Sequence, residues 1–122
     1  MKKVIWVGSS RGTLRGLSEE VKDEIGFGLY HAELGRAHSS LKTLRGFGGA
    51  NVQEIRANDP GGTYRAVFTI RFQGYLYVLH VFQKKSKEGS ETPKADMDLI
   101  KRRLAWAEKD FKQRSESNVQ ET

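Results

Sequence analysis

Tyr64-Arg65-Ala66-Val67-Phe68-Thr69-Ile70-Arg71-Phe72, a Gln73-Gly74 break, and Tyr75-Leu76-Tyr77-Val78-Leu79-His80-Val81-Phe82-Gln83 are followed at once by Lys84-Lys85-Ser86-Lys87. Aromatic and β-branched residues dominate both runs and suit a pleated, half-buried surface, so each reads as a strand. The short break makes them antiparallel neighbours. Alternation along the first run separates Tyr64, Ala66, Phe68, Ile70 and Phe72 from Arg65, Val67, Thr69 and Arg71. The first set predicts a core face. The second predicts a face carrying two arginines on a rigid sheet, either a platform for phosphate or a solubilised outer surface.

Working outward, Val52 to Ala57 predicts a further strand, joined to the pair by the turn Asn58-Asp59-Pro60-Gly61-Gly62. Residues 38–49 read as a loop with short helical potential, basic at Lys42 and Arg45. Further upstream, Leu14, Leu17, Val21, Ile25, Leu29 and Ala32 recur at three- and four-residue spacing and mark one face of an amphipathic helix. Ser18 is its expected N-cap, with Glu19 and Glu20 in the favourable first turn. Gly26 and Gly28 predict a kink or a split into two antiparallel pieces, and Gly35 a stop. Lys3 to Val7 reads as an opening strand.

Downstream of the basic turn, Thr92 is the expected cap and Pro93 the first helical residue. Met97, Ile100, Leu104, Ala107 and Phe111 then predict a helix packed on the sheet. Together these elements predict a compact α+β domain over residues 1–114, with a polar, frayed tail at 115–122.

A chain of 122 residues with 37% hydrophobic content supports one modest core. Cysteine is absent, which excludes disulfides and thiolate metal sites and suits a reducing cytosol. No run of about 18 apolar residues occurs and the N-terminus has no signal-peptide core. The expectation is a soluble cytoplasmic protein with no membrane partner. Positive charge, +6 in all, concentrates in residues 1–16, 38–83 and 84–114, whereas 17–37 and 115–122 are net acidic. Such segregation fits a polyanionic partner, or an acidic protein that covers the same face. Ordinary solvated charge is the third reading.

The candidate site follows from this distribution. Arg56, Lys84, Lys85 and Lys87 are placed to converge with Arg65 on one concavity, with Lys42 and Arg45 on the preceding loop and Arg71 further along the strand. His80 lies among strand residues and reads as a hydrogen-bonded sheet histidine, or as a proton carrier and phosphate contact if it faces the concavity. His31, His38 and His80 lack metal-ligand spacing, and Gly46-Phe47-Gly48-Gly49 is not followed by the Lys-Ser or Lys-Thr of a P-loop. No cofactor or metal is expected. A cationic concavity without metal is still able to cleave RNA, because the 2′-hydroxyl is an internal nucleophile and cations stabilise the charge building on phosphorus.

Leu44-Arg45-Gly46-Phe47-Gly48-Gly49, Val52-Gln53-Glu54-Ile55-Arg56, Tyr64-Arg65-Ala66-Val67 and above all Phe82-Gln83-Lys84-Lys85-Ser86-Lys87 with Thr92-Pro93 close behind resemble the phage-derived Gp49-like branch of the HigB/RelE toxins. The resemblance spans about Val4 to Phe111. It implies a RelE-like domain with an antiparallel sheet, an N-terminal helical hairpin and a C-terminal helix. It also implies a type II toxin that cuts messenger RNA in the ribosomal A site and is paired with a helix-turn-helix antitoxin of HigA type. Carried over by position, Arg65 is the phosphate-stabilising arginine, Lys84 or Lys85 the cation after the last strand, and Arg56 a basic residue ending an earlier strand.

Two departures stand out. Gln53 and Glu54 occupy the strand positions where better-studied relatives have lysines, and no tyrosine follows Pro93. Glu54 is thus a candidate base, or a bridge to Arg56. The related ParE proteins, which act on gyrase, set the alternative of a non-enzymatic RNA- or protein-binding module, and an inert remnant is a third.

Overall fold

A computed structural model describes residues 1–48, 51–84 and 92–120. The chain runs β1 (Lys3–Trp6), α1 (Ser10–Arg15), α2 (Glu19–Glu33), β2 (Leu41–Thr43), β3 (Val52–Asp59), β4 (Gly62–Thr69), β5 (Tyr75–Lys84) and α3 (Lys94–Gln120). The strands form one sheet in the order β1-β5-β4-β3-β2. Its pairings are antiparallel except at the β1 edge, where β1 lies parallel to β5. A parallel pair needs a long crossover. The two N-terminal helices and the three later strands supply it.

Helix α2 starts at Ser18, whose hydroxyl accepts a hydrogen bond from the Val21 amide at 3.3 Å, and Glu19 and Glu20 occupy its first turn. The break expected within the helix falls before this cap instead, separating the six-residue α1 from α2. Gly26 and Gly28 are both accommodated in an unbroken helix, for different reasons. A Cβ at Gly28 would lie 2.9 Å from Cδ1 of the fully buried Ile55, so this glycine lets α2 sit close on β3. Gly26 faces open space.

Two apolar layers sandwich the sheet. On one side Val21, Ile25, Leu29 and Ala32 of α2 pack with Ile55, Ala57, Ala66, Phe68, Leu76, Val78 and Val81. On the other, Ile100 and Ala107 of α3 cover Val52, Val67, Tyr77, Leu79 and Phe82. Alternation predicts the odd-numbered residues of β4 as an exposed platform, yet Arg65, Val67 and Thr69 are each 0% exposed. The reason is tertiary. Helix α3 returns over that face, which a strand pattern cannot register.

Three further details differ from the sequence reading. Residues 41–43, expected within a loop, form the edge strand β2, paired through Leu41↔Ile55 and Thr43↔Gln53. Three residues are too few to show a period, and the pairing with β3 supplies what their pattern lacks. The β4–β5 connection occupies residues 70–74 rather than a two-residue turn, because β4 ends at Thr69. Helix α3 continues through residues 115–120, which composition assigns to a tail.

A bulge in the β4–β5 ladder falls between Val67 and Phe68, and Leu79 has no β4 partner there. Its carbonyl accepts a hydrogen bond from Arg103 Nη1 at 2.8 Å, while Arg103 Nη2 reaches Ser9 Oγ at 3.2 Å. Gly8, at φ +55°, leaves room for the guanidinium, since a Cβ there would meet it at 2.9 Å. One arginine thus joins α3, β5 and the turn after β1.

Candidate functional site

The register of β3 and β4 assembles the site. Arg56 lies opposite Arg65, Glu54 opposite Val67, and Lys42 of β2 opposite Glu54. All therefore share the face covered by α3. Glu54, 3% exposed, accepts a hydrogen bond from Arg56 Nε at 2.9 Å, and its second oxygen lies 3.5 Å from Arg65 Nη1. Arg65 Nη1 also donates to Thr92 Oγ1, at 3.2 Å. A carboxylate so placed offsets part of the cost of burying a guanidinium. Burial still dominates, holding the Arg65 pKa below the ordinary arginine value; Glu54 opposes this shift and Arg56 adds to it.

In front of the cluster lies a cleft of about 640 Å³, lined by Lys42, Thr43, Leu44, Arg45, Glu54, Arg56, Thr92 and Met97. Arg65 stands behind this lining, fully buried. Lys84 closes β5 opposite Thr63, beside the Arg56–Arg65 row. Partial desolvation lowers its pKa, and Arg65 and Arg56 lower it further against the pull of Glu54. Five of the expected cations, Lys42, Arg45, Arg56, Arg65 and Lys84, thus gather around one carboxylate. Lys85 and Lys87 lie outside the described residues.

Arg71 is not part of this group. It follows β4 in the connecting segment, is exposed, and lies over the Phe72 ring at 5.9 Å. With Phe47 and Lys101 it lines a separate depression of about 380 Å³. The strand alternation that grouped it with Arg65 stops at Thr69. His80 turns toward α3, where its Nε2 lies 2.7 Å from Asp96 Oδ1 and its ring stacks on Phe82 at 4.6 Å. Burial lowers its pKa despite Asp96, which pulls upward. This is the hydrogen-bonded sheet histidine of the sequence reading, one strand removed from the cleft lining.

Several participants escape a one-dimensional reading. Thr92 looks like a helix cap, but its hydroxyl meets Arg65. Met97 belongs to the apolar stripe of α3 and also lines the cleft. Asp96 carries no motif at all. Glu54 bridges to Arg56, the second of the two roles open to it.

An arrangement of several cations around a partly enclosed cleft is suited to a phosphate diester, whose charge Arg and Lys neutralise without reading a base. Among the described residues no three His, Asp or Glu side chains gather as a metal site, and no helix is long and apolar enough to cross a membrane.

Comparison with known proteins adds two findings. A family model described as phage-derived protein Gp49-like matches residues 13–105. Among solved structures, the isolated Escherichia coli RelE toxin superposes with a TM-score of 0.52 at 17% identity, covering 84% of this chain and 98% of that one. The intact E. coli RelBE toxin–antitoxin complex gives a TM-score of 0.52 at 15% identity, covering 70% of this chain and 100% of the matched one. At such identities the likeness is one of fold. No curated protein matches the chain.

Proposed function

This chain belongs to the phage-derived Gp49-like family, and we propose that it is the toxin of a type II toxin–antitoxin pair, a metal-independent endoribonuclease that cuts messenger RNA in the ribosomal A site. Residues 1–114 act as one domain in this reading. The observation that carries it is the cationic cleft, where Lys42, Arg45 and Arg56 line the wall and buried Arg65 stands behind it. The RelE-like fold supports the same conclusion.

In the proposed reaction a base removes the proton of the 2′-hydroxyl, and the freed oxygen attacks the adjacent phosphorus. The bond to the 5′-oxygen breaks as that oxygen takes a proton, leaving a 2′,3′-cyclic phosphate and a 5′-hydroxyl. Arg56, Arg65 and Lys84 oppose the negative charge that grows on the phosphoryl oxygens. Glu54 is the carboxylate within the cleft lining and our candidate base. For that role a substrate hydroxyl must replace one of the arginine contacts it makes in the free protein. Lys85 and Lys87, which follow Lys84 in the sequence, are further cations assigned to RNA in the proposal.

The partner is a helix-turn-helix antitoxin of HigA type that covers the cationic face with an acidic or amphipathic segment. The solved RelBE complex is one example of a toxin of this fold bound to its antitoxin. In this reading the protein acts in the cytoplasm, where it would meet ribosomes, messenger RNA and its antitoxin.

Induction of the chain in growing cells tests the proposal. Growth is expected to stop and new messenger RNA ends to appear at codon positions, with Arg65→Ala removing both effects. Growth arrest with intact messenger RNA and loss of gyrase supercoiling would instead support a ParE-like module. Full toxicity of a folded Arg65→Ala variant would remove the site named here.

A further inference from the structure

Arg65 presents a physical problem for any phosphate-binding role. Its side chain is 1% exposed and does not line the cleft, so a substrate oxygen entering that cleft meets other groups first. Thr92 is one of them. It lines the cleft and accepts a hydrogen bond from Arg65 Nη1 at 3.2 Å.

The start of α3 shows why this hydroxyl is available. A threonine before a proline at a helix start ordinarily caps the backbone. Here the helix begins at Lys94, and the Met97 amide bonds to the Pro93 carbonyl at 2.9 Å, which places Pro93 at the cap position. The Thr92 side chain turns to the arginine instead.

A hydroxyl has one proton to donate and two lone pairs that accept. With a lone pair engaged by the guanidinium, its O–H proton points away from Arg65. A bond accepted from a cation also polarises the hydroxyl and strengthens it as a donor to an anion. The cleft in front, walled by Lys42, Arg45 and Arg56, is where such an anion would sit.

We propose that the Thr92 hydroxyl is a phosphate ligand of the cleft, conveying the positive charge of buried Arg65 to a non-bridging oxygen of the RNA backbone. The assignment rests on the endoribonuclease reading for the identity of the substrate. It adds a contacting residue and a reason why a fully enclosed arginine bears on it. Thr92 accepts from Arg65 and donates to the phosphate, and both bonds tighten as charge accumulates on that oxygen.

The test compares Thr92→Val, which keeps the shape and removes the hydroxyl, with Thr92→Ser, which keeps the hydroxyl and removes the methyl. Cleavage of messenger RNA on programmed ribosomes gives kcat and KM. Binding of a 2′-O-methyl RNA hexanucleotide, which lacks the nucleophile, is measured by calorimetry at fixed ionic strength. Thr92→Val is expected to lower kcat by about 100-fold, as for loss of a single oxyanion donor, with a much smaller change in KM. It should also weaken hexanucleotide binding several-fold. Thr92→Ser should stay within about threefold of wild type in both assays, by the same comparison.

Wild-type behaviour of a folded Thr92→Val protein in both assays would overturn the assignment. So would impairment of Thr92→Ser as large as that of Thr92→Val, which would show that retaining the hydroxyl does not preserve function and that the site depends on the fit of the whole side chain. Failure of the wild-type chain to cut on ribosomes while it binds the hexanucleotide would sink the endoribonuclease reading instead. In that event the Thr92 contact is still judged by the two variants' affinities. A wild-type chain that neither cuts nor binds removes both.

Discussion

Arg65 and Glu54 form a buried pair whose members each leave the other exposed to a large penalty when removed alone. Their contact is long, at 3.5 Å, and Glu54 has a closer partner in Arg56. Breaking a buried pair from one side ordinarily costs about 3–5 kcal/mol, whereas apolar replacement of both is far milder. Arg65→Met and Glu54→Gln should therefore each destabilise the protein, and the double variant should be more stable than the two losses predict together. A coupling of about 1–3 kcal/mol by urea denaturation is expected; strict additivity would show that the two charges do not share one environment. Both residues are visible as charged strand positions in the sequence. Their enclosure is not, because it depends on what lies over the sheet.

Helix α2 offers a matched pair of glycines for testing how an element's stability depends on its contacts. Gly28→Ala inserts a methyl group 2.9 Å from Ile55, in a core with little room, and should cost about 1–3 kcal/mol. Gly26→Ala meets nothing within 4 Å and should stabilise the helix by about 0.5–1 kcal/mol. Melting temperatures moving in the same direction for both would contradict the packing described for α2 on β3. The sequence shows two equivalent helix weakeners two positions apart; only the approach of the sheet distinguishes them.

Two histidines join elements in a pH-dependent way. His31 of α2 stacks on His38 at 4.4 Å, and His80 of β5 meets Asp96 of α3. Burial is the largest cause lowering the pKa of both His31 and His80 from the ordinary value of 6.5. Folding therefore favours their neutral forms. Their contribution is present above the unfolded value and is lost as pH falls through the lower folded values. Denaturation at pH 5 should show less stability than at pH 7.5, with a smaller difference in a His31→Gln/His80→Gln variant. An undiminished difference in that variant would assign the effect to other groups.

Across the whole molecule, the net charge of +6 is concentrated by folding rather than spread by it. Lys42 comes from the second strand, Arg56 from the third, Arg65 from the fourth and Lys84 from the end of the fifth. If each exposed member meets a backbone phosphate, log affinity for single-stranded RNA falls with log salt by about 0.7 per contact. Lys42→Ala and Arg56→Ala should each flatten that slope by about this amount, whereas Arg71→Ala, at a separate depression, should leave it unchanged. A change on Arg71→Ala equal to the others would require a longer RNA track than the cleft alone. The antitoxin complex should likewise form more slowly at higher ionic strength, since steering by complementary charge is screened; an on-rate indifferent to salt would argue against a cationic docking face.

Local physics was readable without coordinates: hydrophobic periods of two and near four, the serine before α2, the turn chemistry around Pro60-Gly61 and the basic residues that follow the last strand. These signals arise within a few residues of one another, so the order of the longer elements and the family resemblance follow from them, while the short α1 and β2 do not. Packing across the chain was decided in three dimensions. Whether the arginine face of β4 met water or a helix, whether Arg65 lined the cleft or stood buried behind it, and whether the Thr92 hydroxyl capped a helix or met a guanidinium all depended on where α3 came to rest. A strand encodes the polarity of its two faces, but the dielectric around each face belongs to whatever segment folds back over it.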